Sequence, residues 1–103
     1  MEYNIFMKMT KQEIKKIVRD NKEILQKYDV ATIALFGSYV RGEQDKGSDA
    51  DFLIEFKEPT FRNYIGLLSE LKRLIGREVD LVSKDALKKR IKPYILKEAE
   101  RII

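Results

Sequence analysis

The fold of this chain is most constrained by three short apolar segments and one long amphipathic segment. The amphipathic segment lies between the second and third apolar segments. Apolar residues bounded by glycine, proline and polar residues are typical of buried strands. Between the second and third of these segments, apolar residues from Tyr64 to Ile75 recur at helical spacing, and Gly76 follows where a left-handed C-terminal cap belongs. The predicted strands are Val30–Phe36, Asp51–Phe56 and Glu78–Val82.

Helical signals flank the strands on both sides. Thr10 and Glu13 have the spacing of a capping box, which predicts a first helix that runs to about residue 28. Pro93 suits the first turn of a last helix that ends near Ile103. Residues 39–48 are polar and predict a loop, which is open to one helical turn at its start. After the third strand, Ser83-Lys84-Asp85 predicts the cap of a short helix.

The resulting order, α-β-β-α-β-α-α, predicts an α/β (α+β) fold, a two-layer sandwich with helices packed on a short mixed sheet of about three strands. We place it in a single domain over residues 1–103. The helix between the second and third strands requires that pair to be parallel. The first pair must be antiparallel if Gly37-Ser38, which closes one strand, is to meet Asp49, which precedes the next.

Cysteine and histidine are both absent from the sequence. Disulfides, thiolate catalysis, Ser-His-Asp hydrolysis and ordinary zinc or iron sites are therefore excluded. A bound metal ion must be held by oxygen atoms, which favours Mg²⁺, Mn²⁺ or Ca²⁺.

Targeting signals and charge distribution add two further expectations. The first ten residues lack the apolar run of a signal peptide, and no later segment approaches the length of a membrane span, which predicts a cytoplasmic protein without membrane contact. Residues 84–103 carry seven basic and three acidic residues, so the net charge of +4 is concentrated there. This excess fits a solvated helix face better than a surface for an anionic partner.

Three aspartates are the candidate chemical groups. Asp49 and Asp51 lie two residues apart, so on a strand their carboxylates project from one face. Two such charges repel by about 4 kcal/mol at an effective dielectric constant of about 20, and a cation between them removes that cost. Asp80, on the third strand, falls at the same end of the predicted sheet. The pattern predicts a site for Mg²⁺ and phosphate oxygens.

Phosphate-binding groups lie at the end of the first strand. Gly37 allows the backbone to approach a phosphate closely, Ser38 offers a hydroxyl, and Arg41 follows one turn later. Taken singly, a Gly-Ser pair is usually a turn and an Asp-x-Asp pair is usually solvated. Asp80 is harder to explain structurally, because a partly buried, unpaired charge is costly. The combination favours a functional site.

The combination also resembles the signature of a known superfamily. Gly37-Ser38-Tyr39-Val40-Arg41-Gly42, then five residues, then Ser48-Asp49-Ala50-Asp51 is similar to the motif of DNA polymerase beta-like nucleotidyltransferases, with Asp80 on the next strand. The resemblance covers residues 30–82 and implies a palm-like fold that uses ATP and two Mg²⁺ ions. It implies that catalysis and metal binding fall to Asp49, Asp51 and Asp80, and nucleotide binding to Gly37, Ser38, Arg41 and Ser48.

Within that superfamily, the chain is similar to minimal nucleotidyltransferases (MNT) paired with HEPN toxins, since its 103 residues show no added substrate-binding module. This similarity implies an antitoxin that transfers AMP to a tyrosine of the HEPN protein, with Asp80 as a candidate proton acceptor. Glu55 and Glu78 are alternative bases if they point inward.

Two other functions remain open at this point. The chain could neutralise its partner by occlusion, with nucleotide as a ligand only. It could also act on a small molecule or an RNA end, which the lack of a substrate module disfavours, so nucleic acid is not expected as the direct substrate.

Overall fold

A four-stranded mixed sheet is the framework of the molecule, in a computed structural model that describes residues 9–45 and 47–103. The strand order is β3-β2-β1-β4. The strands are β1 (Val30–Phe36), β2 (Ala50–Phe56), β3 (Val79–Ser83) and β4 (Glu100–Arg101). The helices are α1 (Lys11–Asp20), α2 (Lys22–Lys27), α3 (Ser38–Arg41), α4 (Phe61–Ile75) and α5 (Lys92–Glu98), with a 3-10 turn at Lys84–Ala86. This architecture confirms the predicted α/β class.

The strand directions match those predicted from the positions of the site residues. β1 and β2 are antiparallel, and their register places Phe36 opposite Asp51. β2 and β3 are parallel, and Asp51 lies beside Asp80. The end of β1 and the starts of β2 and β3 therefore meet at one end of the sheet, where the strands begin or stop.

The hydrophobic core lies between one face of the sheet and the helices α1 and α4. Alternate residues of β1 and β2 project to this face, because Ile33 pairs with Ile54 and Leu35 with Phe52. All four side chains are fully buried. They form one cluster with apolar residues of α1 and α4, including Ile14, Val18, Leu67 and Leu71.

The first predicted helix is interrupted. Its capping box is present, with the Thr10 hydroxyl accepting from the Glu13 backbone N–H at 3.2 Å, but α1 ends at Asp20 instead of continuing to residue 28. The Asn21 side chain donates to the carbonyl of Ile17 at 2.8 Å, and α2 starts one residue later. A side-chain amide that bonds to local backbone competes with the helical pattern, which explains the break.

The last predicted helix is shorter than expected, and its end forms the fourth strand. α5 contains Pro93 in its first turn but stops at Glu98. β4 then pairs with the free edge of β1, and the Ile102 N–H donates to the Ile33 carbonyl at 2.9 Å. Ile102 is buried, so pairing and apolar burial together favour the strand over a longer helix.

Other predicted boundaries agree closely. The loop at 39–48 does begin with one helical turn, α3, and Gly76 caps α4 with a left-handed φ of 69°. In the described part of the chain, the helices are too short or too polar to span a lipid bilayer. The prediction about a signal peptide rests mainly on residues 1–8, which lie outside the described residues.

Candidate active site

Asp51 and Asp80 lie side by side at the starts of two neighbouring strands. Their pairing in the parallel β2–β3 register places both side chains on the sheet face opposite the hydrophobic core. Asp49 is exposed and immediately precedes β2. The three predicted aspartates thus converge at one end of the sheet, as their spacing indicated.

The electrostatic surroundings of Asp51 show the result of this convergence. Partial burial of its carboxyl is the largest cause that raises the pKa of Asp51, and the negative charges of Asp80 and Asp49 raise it further, to about 6. Arg41 opposes this pKa shift, whereas Glu98 adds to it. The protein alone leaves an excess of negative charge here, which a cation would neutralise.

Gly37 forms the tight junction between β1 and α3. Its backbone has φ 78° and ψ −152°, a region that is essentially restricted to glycine. A Cβ at this position would lie only 2.2 Å from Oδ2 of Asp51. The glycine therefore allows the backbone to pass directly against the Asp51 carboxylate, where a larger residue would force one of the two to shift.

Glu98, at the end of α5, is a member of the site that sequence reasoning missed. The Gly37 N–H donates to its Oε2 at 3.1 Å, and Nη1 of Arg41 donates to its Oε1 at 2.5 Å. Nε of Arg41 donates to Glu43 at 2.6 Å. Glu98 and Gly37 are 61 residues apart, and a single acidic residue in a charged helix offers no local signal of this contact.

The two serines of the motif have different surroundings. Ser38 is the half-buried first residue of α3. The Ser48 hydroxyl accepts from the Asp45 N–H at 2.9 Å, while its carbonyl accepts from the buried Tyr39 hydroxyl at 3.4 Å. Burial raises the pKa of Tyr39, so the hydroxyl keeps its proton as a donor. Ser48 shapes the loop before β2, and its contact with nucleotide stays a prediction.

The two alternative bases have partners away from the aspartates. Glu55, at the other end of β2, accepts from the Thr32 hydroxyl at 2.9 Å and contacts Lys84 at 3.5 Å. Glu78 is exposed and pairs with Lys72 of α4 at 3.1 Å. Asp80 remains the better candidate for proton transfer.

The aspartates suit a metal ion that arrives with its substrate. Among residues 9–45 and 47–103, no three acidic side chains form a ready-made metal cage. Mg²⁺ commonly binds through one or two carboxylates, water and substrate phosphates, without a cage built only of protein groups. An all-oxygen donor set and the unneutralised charge around Asp51 fit that mode of binding.

The sequence profile of a family described as the nucleotidyltransferase domain matches residues 11–102. The chain belongs to the nucleotidyltransferase domain family. This nucleotidyltransferase is 45% identical over 95 residues to a Methanocaldococcus jannaschii protein with the provisional name protein adenylyltransferase, and the match covers 88% of this chain and 92% of that protein. It is 41% identical over 92 residues to protein adenylyltransferase MntA of Thermococcus cleftensis, with coverage of 87% and 93%.

Solved structures agree with this assignment. The nucleotidyltransferase superposes with a TM-score of 0.77 on a structure provisionally described as a minimal nucleotidyltransferase, at 29% identity, covering 89% of this chain and 95% of that one. A complex of a tri-AMPylated Shewanella oneidensis HEPN toxin with its MNT antitoxin matches with a TM-score of 0.63 at 16% identity, covering 87% and 71%, so this second likeness concerns the fold alone. The predicted membership of the minimal nucleotidyltransferases is confirmed.

Proposed function

We propose that this nucleotidyltransferase moves AMP from ATP to a tyrosine hydroxyl of a HEPN-type toxin and thereby acts as its antitoxin. Two relatives that cover nearly the whole chain are named protein adenylyltransferases. A neighbour of the same fold is an MNT antitoxin bound to an AMPylated HEPN toxin. Both observations favour a protein as the acceptor over a small molecule or an RNA end.

The observation that carries the proposal is the pairing of Asp51 with Asp80 beside the Gly37 turn. Two carboxylates in register on one sheet face, with a third just before the strand, repel one another unless a cation is present. Gly37 and Arg41 supply an amide N–H and a guanidinium beside them, and such groups are suited to phosphate oxygens. Nucleotidyl transfer needs a cluster of carboxylates that can hold a metal ion, next to hydrogen-bond donors that can bind the phosphates.

We assign the following roles to the residues of the site. Asp49, Asp51 and Asp80 would hold Mg²⁺, with two ions expected. Gly37, Ser38 and Arg41 would bind the β- and γ-phosphates, and Ser48 would complete the nucleotide-binding set. Mg²⁺ bound there neutralises the phosphate charges and lowers the pKa of an attacking hydroxyl.

The chemical step is an in-line displacement at the α-phosphorus. The acceptor oxygen forms a bond to that phosphorus, and the bond between the α-phosphorus and the oxygen that bridges to the β-phosphate breaks. Pyrophosphate leaves with that bridging oxygen, and the hydroxyl proton passes to the Asp80 carboxylate. Because the protein supplies few reactive groups, its main contributions are positioning and charge stabilisation.

The first test is calorimetric titration of ATP, with and without Mg²⁺, into wild-type protein and the Asp49→Asn, Asp51→Asn double variant. We expect Mg²⁺-dependent binding that is lost in the double variant. Glu55→Gln is a matched control, because it neutralises a carboxylate on the same sheet face whose partners are Thr32 and Lys84. Binding that persists in the double variant would contradict the assigned metal ligands.

The second test follows labelled AMP from ATP onto a HEPN-type toxin and, in parallel, onto RNA. We expect label on the toxin and a fall in transfer of about a thousandfold with Asp51→Asn, since loss of metal-assisted charge stabilisation costs several kcal/mol. If Asp51→Asn abolishes transfer but still neutralises the toxin, neutralisation works by occlusion. Label on RNA instead of the toxin would overturn the protein acceptor.

A further inference from the structure

The carboxylate of Glu98 occupies a position that the proposed function reserves for phosphate. It accepts hydrogen bonds from the Gly37 backbone N–H and from the Arg41 guanidinium, at 3.1 Å and 2.5 Å. These are the donors that we assign to the triphosphate. A carboxylate and a phosphate present oxygen atoms of the same charge type to such donors, so the two compete.

We infer that Glu98 is a displaceable occupant of the triphosphate subsite, and that its release from Gly37 and Arg41 accompanies nucleotide binding. This inference rests on the proposed function, because it needs Gly37 and Arg41 to bind phosphate. Glu98 thus sets the affinity for nucleotide without taking part in the chemical step.

The charge distribution supports displacement over joint binding. Glu98 lies near enough to Asp51 to act on its carboxyl as an additional negative charge. A triphosphate that arrives here adds several negative charges to a site where Asp80, Asp49 and Glu98 already act on Asp51 as like charges. Release of Glu98 removes one of those charges and frees both donors in the same movement.

The packing of α5 allows such a movement. None of the seven residues of α5 is buried. The chain after Glu98 is anchored separately, because β4 pairs with β1 and Ile102 is buried in the core. Glu98 can therefore leave Gly37 and Arg41 while the hydrophobic core and β4 stay in place.

The decisive experiment compares the affinity for Mg²⁺–ATP of wild-type protein, Glu98→Gln and Glu43→Gln by calorimetry. Glu98→Gln removes the ion pair that competes with phosphate, and we expect the Kd to fall about fivefold, the factor that corresponds to a partly exposed ion pair. Glu43→Gln is the matched control, because Glu43 also pairs with Arg41, at 2.6 Å. The Gly37 N–H donates to Glu98 and not to Glu43, so this variant leaves the contact at Gly37 in place. We expect its Kd to stay within about twofold of wild type.

The direction in which the Kd for Mg²⁺–ATP changes distinguishes a displaceable Glu98 from a Glu98 that positions the phosphate-binding groups. If Glu98 instead holds Gly37 and Arg41 in the productive arrangement, Glu98→Gln raises the Kd, and the inference is overturned. An unchanged Kd in a variant that melts like wild type also overturns it, while binding by wild type leaves the proposed function intact. Failure of wild type and Glu98→Gln alike to bind Mg²⁺–ATP would overturn the proposed function together with the inference.

A second readout follows the Gly37 amide directly by NMR, with inorganic tripolyphosphate as the probe. We expect the Gly37 amide resonances of free wild type and free Glu98→Gln to differ. In wild type the Gly37 N–H donates to a carboxylate, whereas in the variant it would donate to the neutral amide oxygen of the new side chain. Saturation with tripolyphosphate should bring the two resonances together, since both then donate to phosphate. Resonances that stay apart at saturation would mean that residue 98 keeps its contact, which contradicts displacement.

Discussion

The two faces of β2 carry different kinds of side chain. Phe52 and Ile54 project to the face that α1 and α4 cover, and both are completely buried. Asp51 and Glu55 project to the other face and are only half-buried. On that second face, a cavity of about 160 Å³ lies between Leu53 and Leu96 of α5, with Glu55 and Lys84 also lining it.

This difference shows how a small domain separates stability from chemistry. Side chains alternate across a strand, so one face can be fully apolar while polar residues such as Asp51 and Glu55 project from the other, on either side of the buried Leu53. The apolar face contributes the burial that keeps the sheet folded. The other face can then tolerate clustered carboxylates, whose repulsion costs only part of that stability.

The largest expected difference between the faces is in core packing. Phe52→Ala should lower the free energy of unfolding by about 4 kcal/mol, because it leaves a cavity in the fully buried cluster. Leu53→Ala, on the opposite face, should cost about 2 kcal/mol, since this buried side chain lines an existing cavity and so loses fewer packing contacts when it is truncated. Urea unfolding of both variants measures the difference, and equal costs would mean that both faces support the fold alike.

The next effect concerns Gly37, at the junction between β1 and α3, where the backbone passes against the Asp51 carboxylate. Gly37→Ala should destabilise the protein by about 2–3 kcal/mol and impair ATP binding, because the new Cβ meets Asp51 and the backbone conformation is unsuited to alanine. Gly42→Ala is the control, with a similarly positive φ of 72° but no neighbouring atom within 4 Å of a Cβ. It should cost about 1 kcal/mol and leave ATP binding unchanged. Similar losses in both variants, in thermal unfolding and calorimetry, would refute a special contact with Asp51.

The smallest effect is the pH dependence that arises from the carboxylate face. The folded pKa of Asp51, about 6, lies above its ordinary value of 3.8, so between these values the folded protein binds a proton more tightly than the unfolded chain. Without Mg²⁺, stability should therefore fall as the pH rises from about 4 to about 6. Because the side chain is half-exposed, solvent screening limits this change to about 1 kcal/mol.

Asp51→Asn tests this dependence. At pH 7 without Mg²⁺, the variant should unfold at a higher temperature than wild type, and the advantage should disappear below about pH 4. Asp85→Asn, an exposed substitution in the 3-10 turn, should leave the wild-type pH profile unchanged. A lower melting temperature for Asp51→Asn would show that this carboxylate instead stabilises the fold.

Local patterns were sufficient to predict much of the site. The i, i+2 spacing of Asp49 and Asp51, the helix between β2 and β3, and the Gly-Ser pair that closes β1 led to the antiparallel and parallel pairs seen in the sheet. The break at Asn21 was missed, because a single side-chain hydrogen bond outweighs an otherwise continuous apolar period.

The sequence by itself determined the three long strands, the helix between β2 and β3, and the common face of Asp49 and Asp51, because apolar runs, helical spacing and the period of two in a strand are local properties of the chain. It also determined that Asp49, Asp51 and Asp80 lie at one end of the sheet. Only the tertiary structure decided that the chain after α5 returns to the edge of β1 as a fourth strand, and that Glu98 reaches Gly37 and Arg41. Both contacts join segments far apart in the chain, and their free energy depends on a surface that exists only after the rest of the sheet has formed.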